Sequence, residues 1–132
     1  MINIIVSSDP RYNINKDSIR AAVAQILQRH RISGKIEVGI NIVGDRKMRS
    51  LNKNYKGMDK TTNILSFSLM DGKEVVLPPR KTKIQEDRLY LGDIVLAYPQ
   101  VIRDAARDEM MVDDKINELL EHGLQHLLGI HH

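Results

Sequence analysis

Three histidines stand at the spacing H-x3-H-x5-H in the segment HGLQHLLGIHH, residues 122–132. His122 and His126 are four apart, so on a helix both imidazoles leave the same face, with Cβ atoms about 5–6 Å apart. Gly129 follows the pair, and a glycine that stops a helix lets the chain turn back and offer His132 as a third nitrogen. Three neutral imidazoles with one position left open is the donor set of a catalytic zinc rather than a closed structural one. Imidazole also suits copper, iron and nickel, so zinc is favoured by abundance and geometry alone. His131 is open to three readings: ligand, supporting group or bystander. The bland alternative is that His122 and His126 are ordinary polar helix residues and that His131-His132 resembles the start of a purification tag. A third histidine placed just past a glycine favours the metal.

The same stretch excludes one familiar chemistry. Zinc peptidases of the H-E-x-x-H type carry a glutamate general base directly after the first histidine. Gly123 occupies that position here. A bound water would have to be activated by the metal and by a group elsewhere, and a peptidase is a poor fit. Gly123 has another use, because a missing side chain lets a neighbouring element come close beside the metal.

These side chains must be positioned by a modest scaffold. The chain has 132 residues, 42% apolar and 28% charged, and no cysteine. That fits one domain able to bury a core of its own. The absence of cysteine removes disulfides, thiolate nucleophiles and Cys-based zinc sites, leaving His, Asp and Glu as ligands. No apolar run approaches the ~18 residues of a membrane span. The start, MINIIVSSDP, lacks the basic region of a signal peptide, so a cytoplasmic protein is expected. The net charge of +3 is a mild bias towards anionic partners and decides little alone.

Periodicity predicts four strands and four helices. Strands are expected at Met1–Ser8, at Lys35–Val43 with Ile36, Val38, Ile40 and Ile42 on one face, at Asn63–Leu69, and at Leu89–Tyr98 with Gly92-Asp93 inside it. Helices are expected at Ile14–Ile32, capped by Asn15 and stopped by Gly34, and at Gly44–Tyr55. Two more follow, from Pro99 to about Asp108 and over Val112–Leu128. Ile116, Leu120, Leu124 and Leu127 form the core stripe of the last helix, with Lys115, Leu119, His122 and His126 on an adjoining face. His30 reads as a cation favouring a helix C-terminus. Asp71–Arg88, the most polar stretch, reads as a loop. Alternating strands and helices indicate a single α/β or α+β domain, and the first strand-helix-strand unit suits a crossover connection.

Three motifs carry a resemblance to one family. HGLQHLLGIHH resembles the HGxLHLxGYDH signature of the YbeY family, metal-dependent endoribonucleases of bacterial rRNA maturation. NYKGMDKTTNILSFSL (residues 54–69) is similar to its YRGKDxPTDVLSFP segment, and LGDIVLA (residues 91–97) to its LGDIVI strand. Order and spacing agree over most of the chain. The resemblance implies a single α+β (α/β-like) domain over residues 1–132. Its mixed sheet of about four strands would pack with about four helices, the histidine motif lying on the C-terminal helix and turn. Family members usually continue with a further helix after the last histidine, whereas this sequence ends at His132. The resemblance also implies metal ligation by His122, His126 and His132, with one Zn2+ or another divalent transition metal. Thr62, Asn63, Ser66 and Asp93 would contact substrate.

Departures from the pattern bear on chemistry. The family arginine of YRGKD is Lys56, which keeps the charge without the bidentate fork. Thr61 and Ser68 replace prolines, Gln125 replaces a leucine, and His131 replaces the aspartate before the last ligand, a carboxylate that could orient it. The function implied is single-strand-specific RNA cleavage in rRNA maturation and ribosome quality control, with rRNA and the small ribosomal subunit as partners, and neither DNA nor membrane. Lys56 is the candidate for neutralising phosphate charge. Arg49, Lys53 and Lys60 would extend a basic track from it, and a basic cleft is expected at the histidines. Phe67 and four tyrosines leave few aromatics for base stacking. Two other functions fit the residues: a ribosome-associated assembly factor with a structural metal, and a metal-dependent hydrolase of another substrate.

Overall fold

A computed structural model describes residues 2–68 and 89–130. In chain order the elements are β1 (Ile2–Ser8), α1 (Lys16–Arg29), β2 (Ile36–Val43), α2 (Asp45–Lys56), β3 (Ile64–Ser68), β4 (Leu89–Ala97), α3 (Tyr98–Arg107) and α4 (Val112–Leu127). The strands form one mixed sheet in the order β1-β2-β4-β3. β1, β2 and β4 run parallel, and β3 joins β4 antiparallel as the edge strand. This is the expected single α+β domain with four strands and four helices. Met1, the expected loop at Asp71–Arg88 and the end of the third strand at Leu69 lie outside the described residues, as do His131 and His132.

Helices cover both faces of the sheet. On one face Ile36, Val38, Ile40 and Ile42 of β2 and Ile94 and Leu96 of β4 pack against Ile19, Val23, Ile26 and Leu27 of α1 and Ile116, Leu120, Leu124 and Leu127 of α4. On the other, Met48 and Leu51 of α2 meet Leu65 and Phe67 of β3 and Val95 and Ala97 of β4. β4 is buried on both sides, as a central strand between helical layers must be. Each fully buried leucine or isoleucine contributes about 1.5–3 kcal/mol of transfer free energy. A register shift between Glu37 and Val38 separates Tyr90 from Gly92 and resets the alternation of β4. Beyond it Asp93, Val95 and Ala97 point towards α2, while Ile94 and Leu96 point towards α4.

The helix ends are built alike. Asn15 caps α1 by accepting from the Ser18 amide at 3.0 Å, as its type predicts. α1 stops at Arg29, five residues before Gly34. Arg31, at φ 59, takes the left-handed position, and the Arg31 and Ile32 amides donate to the carbonyls of Gln28 and Leu27. α3 ends in the same way, with Glu109 at φ 54 and bonds from Glu109 to Ala106 and from Met110 to Ala105. This double-bonded turn satisfies the last helical carbonyls even where no glycine is available.

Candidate functional site

α4 supplies the centre of the site. Its Asp113 and Asp114 complement the helix N-terminus, and its apolar stripe is buried as the periodicity requires. The other two flanks divide. Lys115 is buried and bonds to Asp108 Oδ2 at 2.6 Å, while His122 and His126 stand exposed one turn apart. Glu121 is braced to the end of α1, with Arg29 Nη2 at 3.1 Å and His30 Nε2 at 3.2 Å. His30 thus sits at a helix C-terminus, as its position suggested, and also reaches across to α4.

Two glycines shape what lies beside the histidines. A Cβ on Gly123 would stand 3.0 Å from each of Ile64 Cδ1, Ile94 Cδ1 and Ser66 Oγ, so the bare backbone lets α4 sit directly on β3 and β4. Ser66 therefore faces the helix immediately next to His122. Gly129, at φ 74, ends α4: its amide donates to the His126 carbonyl at 3.1 Å, and the Ile130 amide to Gln125 at 2.9 Å. The chain is thereby turned back just before the third histidine, which lies outside the described residues.

An open groove of about 390 Å³ runs between α4 and the start of β3, lined by Asn63, Ile64, Leu119, His122 and Gln125 together with the carboxylates of Glu118 and Glu121. Asn63 is held firmly. Its Nδ2 donates to Asp104 Oδ2 at 3.0 Å, and its carbonyl accepts from the Ala97 amide at 3.0 Å. Asp104, buried on α3, also accepts from Gln100 Nε2 at 2.9 Å. Thr62 is half-buried next to Asn63 in the chain.

Asn63, Ser66 and His122 are thus brought together. Asp93 is placed elsewhere. It is buried on the α2 side of the sheet, accepts from the Tyr90 hydroxyl and fills the space over Gly39, where a Cβ would overlap its Oδ1. Lys56 is exposed at the end of α2, the helix on that same opposite face. The expected basic cleft differs as well: the described groove lining has two carboxylates and neither lysine nor arginine.

Sequence reasoning did not find what holds the 57–63 segment. Three side chains on one flank of α2 grip it. Asp45 Oδ1 accepts from Thr61 Oγ1 at 3.2 Å, Arg49 Nε meets Asp59 Oδ1 at 2.7 Å, and the buried Asn52 Nδ2 donates to the Lys60 carbonyl at 2.9 Å. The Arg49 hydrogen bond is the main reason the Asp59 carboxyl is held below its usual range. The spacing 45, 49, 52 is one helical face, which is the only signal the sequence offers for this clamp.

His122 and His126 can contribute two imidazole donors to one ion. Among the described residues no third His, Asp or Glu converges with them, so the donor set fits a metal only as part of a site that His132 completes. Among the described residues no helix is long and apolar enough to cross a membrane.

Residues 5–132 match the family model described as Endoribonuclease YbeY. A protein named Endoribonuclease YbeY from Roseiflexus castenholzii is 34% identical over 125 residues, covering 93% of this chain and 75% of the relative. One of the same name from Magnetococcus marinus is 40% identical over 97 residues, covering 74% of this chain and 65% of the relative. In fold, the chain is similar to a Thermotoga maritima protein whose structure was solved in solution. The TM-score is 0.57 at 19% identity, covering 96% of this chain and 71% of that one.

Proposed function

This chain belongs to the YbeY family of endoribonucleases, and on that premise we propose that it hydrolyses phosphodiester bonds of single-stranded RNA with a divalent ion held by His122, His126 and His132. Its setting would be the cytoplasm, where it acts on small-subunit rRNA in maturation and ribosome quality control. Zinc is the ion the donor set favours, and when bound it supplies Lewis acidity towards water and a phosphoryl oxygen.

The chain's own residues do the rest. α4 holds the two imidazoles on one face, and the turn at Gly129 ends the helix ahead of His132, which the motif offers as the third donor. Asn63, its side-chain amide fixed by Asp104, stands at the groove wall, where its Oδ1 can accept from a ribose hydroxyl. Ser66 offers a hydroxyl beside His122. Leu119 and Ile64 form the apolar part of the wall and limit water there. Lys56 would neutralise phosphate charge on a strand that passes the end of α2, as a point charge rather than a planar fork.

The observation that carries the proposal is the approach at Gly123, which sets Ser66 and Asn63 of the β3 segment against the turn of helix bearing His122. The test is cleavage of an unstructured RNA oligonucleotide by the purified chain with and without chelator, repeated with His122→Ala. Chelator-sensitive cleavage that the substitution abolishes is the expected result. Chelator-resistant cleavage, or cleavage retained by His122→Ala, would remove the assignment.

The lack of lysine and arginine in the described groove lining favours a second reading, an assembly factor with a structural metal. Such a site has four protein donors and resists chelation, whereas the catalytic one yields its ion and keeps a position open.

A further inference from the structure

Among the described residues, the groove lining and the cations of α2 lie on opposite faces of the sheet. Glu118 and Glu121 at the groove are paired, the one with Lys115 and the other with Arg29 and His30, and the described lining offers no lysine or arginine of its own to meet phosphate. An RNA strand needs its backbone charge met somewhere else.

α2 offers that surface. Arg46, Arg49, Lys53 and Lys56 recur at i, i+3, i+7 and i+10, which places them in one stripe about 15 Å long on one flank of the helix. All four are exposed. Arg49 is engaged by Asp59, whereas Lys53 only adds its field to that carboxylate, and Arg46 and Lys56 make no ion pair among the described residues. The other exposed flank is weaker, with Lys47 beside the neutral Ser50 and Asn54. A charged helix face is ordinarily no more than solvated surface. This one differs in where it leads. The same flank grips the 57–63 segment through Asp45, Arg49 and Asn52, so that segment runs alongside the stripe and adds the exposed Lys60. It then enters β3 through Asn63, a wall of the histidine groove, and β3 is the edge of the sheet.

We infer that the Arg46–Arg49–Lys53–Lys56 flank of α2 is a docking surface for the sugar-phosphate backbone of a single RNA strand, which turns around the β3 edge along residues 57–63 to reach the groove. The inference rests on the RNA reading above. Affinity resides on α2 and chemistry on α4, with the sheet between them. A surface of cations without stacking aromatics reads charge and not base sequence.

The test is binding of a fluorescent single-stranded RNA of about 16 nucleotides, a length at the upper end of known single-strand sites, to the full chain in chelator over a salt series. Arg46→Gln/Lys53→Gln removes two stripe charges without touching the groove. Lys16→Gln/Arg31→Gln removes two exposed charges of α1 and its C-terminal turn as a matched control. The stripe variant is expected to lose about tenfold in affinity at low salt, with the slope of log K against log salt falling by about 1.4, since each single-strand phosphate contact contributes about 0.7. The control should keep the wild-type slope. An unchanged slope in the stripe variant, or equal losses in both variants, overturns the inference. Wild-type chain that binds RNA with the stripe-dependent slope but never cleaves it removes the catalytic reading and leaves the docking surface standing. Chain that binds no RNA removes both.

Discussion

The Asn63 side-chain amide donates to Asp104 Oδ2 at 3.0 Å, which ties the entry to β3, and with it a wall of the histidine groove, to the middle of α3. Asp104 is buried and accepts from Gln100 as well, so its carboxylate organises a small network rather than a single bond. Asp104→Ala is expected to cost about 1–3 kcal/mol in denaturant unfolding, because it leaves the Asn63 amide unpaired. Turnover of RNA should fall through kcat more than KM, since the groove wall loosens while the docking surface is intact. A double-mutant cycle with Asn63→Ala should return a coupling of at least about 0.5 kcal/mol. Additive effects would mean that Asp104 only stabilises α3.

Gly123 tests the close approach of α4 to the sheet. Alanine there would gain up to about 1 kcal/mol of helix propensity. Against that, its Cβ would stand 3.0 Å from two isoleucine methyls and the Ser66 hydroxyl at once. Overpacking of this kind costs about 1–3 kcal/mol. Gly123→Ala is therefore expected to be mildly destabilising and Gly123→Val severely so, with the melting temperature as the measure. A Gly123→Val chain as stable as wild type would contradict the described packing.

Arg31 and Glu109 occupy left-handed positions where a Cβ is strained. Both are exposed and follow helix ends that are otherwise fully bonded. Arg31→Gly and Glu109→Gly should each stabilise the fold by about 0.5–1 kcal/mol, the strain relieved exceeding the extra chain entropy of glycine. Lower stability in either variant would show that the side chain contributes more than its backbone strain costs.

The Lys115–Asp108 pair predicts a pH window. Asp108 is held well below its ordinary 3.8, first by the hydrogen bond from Arg107 and then by that from Lys115. Its contribution is complete above that ordinary value and is lost as pH falls through the folded one. Lys115 is raised above 10.5, chiefly by its bond to Asp108, so its contribution is complete below 10.5 and is lost as pH rises through the folded value. Lys115→Met, of similar volume, should abolish the alkaline loss of stability. It should only soften the acid loss, since Arg107 still holds Asp108. Melting curves across the pH range check both limbs; an unchanged alkaline limb would exclude Lys115 as its source.

Much of the scaffold was legible because its elements are long and regular. The Ile36–Ile42 alternation and the α4 stripe each meet a face that their period specifies, Gly123 admits a close neighbour and Gly129 ends its helix. Which face each residue serves depends on strand order, and that is set by packing between distant segments. Ser66 and Asp93 look equally close to the histidines in a list of motifs. The sheet puts Ser66 under α4 and Asp93 on the α2 side. Buried polar groups were illegible for the same reason. Nothing local distinguishes Asp104 or Lys115 from a solvated helix charge, because their burial comes from neighbours on other elements. The described groove lining carries no lysine or arginine because the lysines near the motif in sequence belong to α2, while Glu118 and Glu121 are brought in by α4.

We propose that His122 and His126 hold an ion with which this chain cleaves RNA. The most direct test is metal analysis of the purified chain together with cleavage of unstructured RNA, in matched samples of wild type and His126→Ala. Wild-type chain should carry about one zinc and lose activity on chelation and regain it with zinc, and His126→Ala should fold but neither bind the ion nor cleave. Wild-type chain that retains no metal and regains no cleavage with any divalent ion, or His126→Ala that cleaves as wild type does, would contradict the proposal.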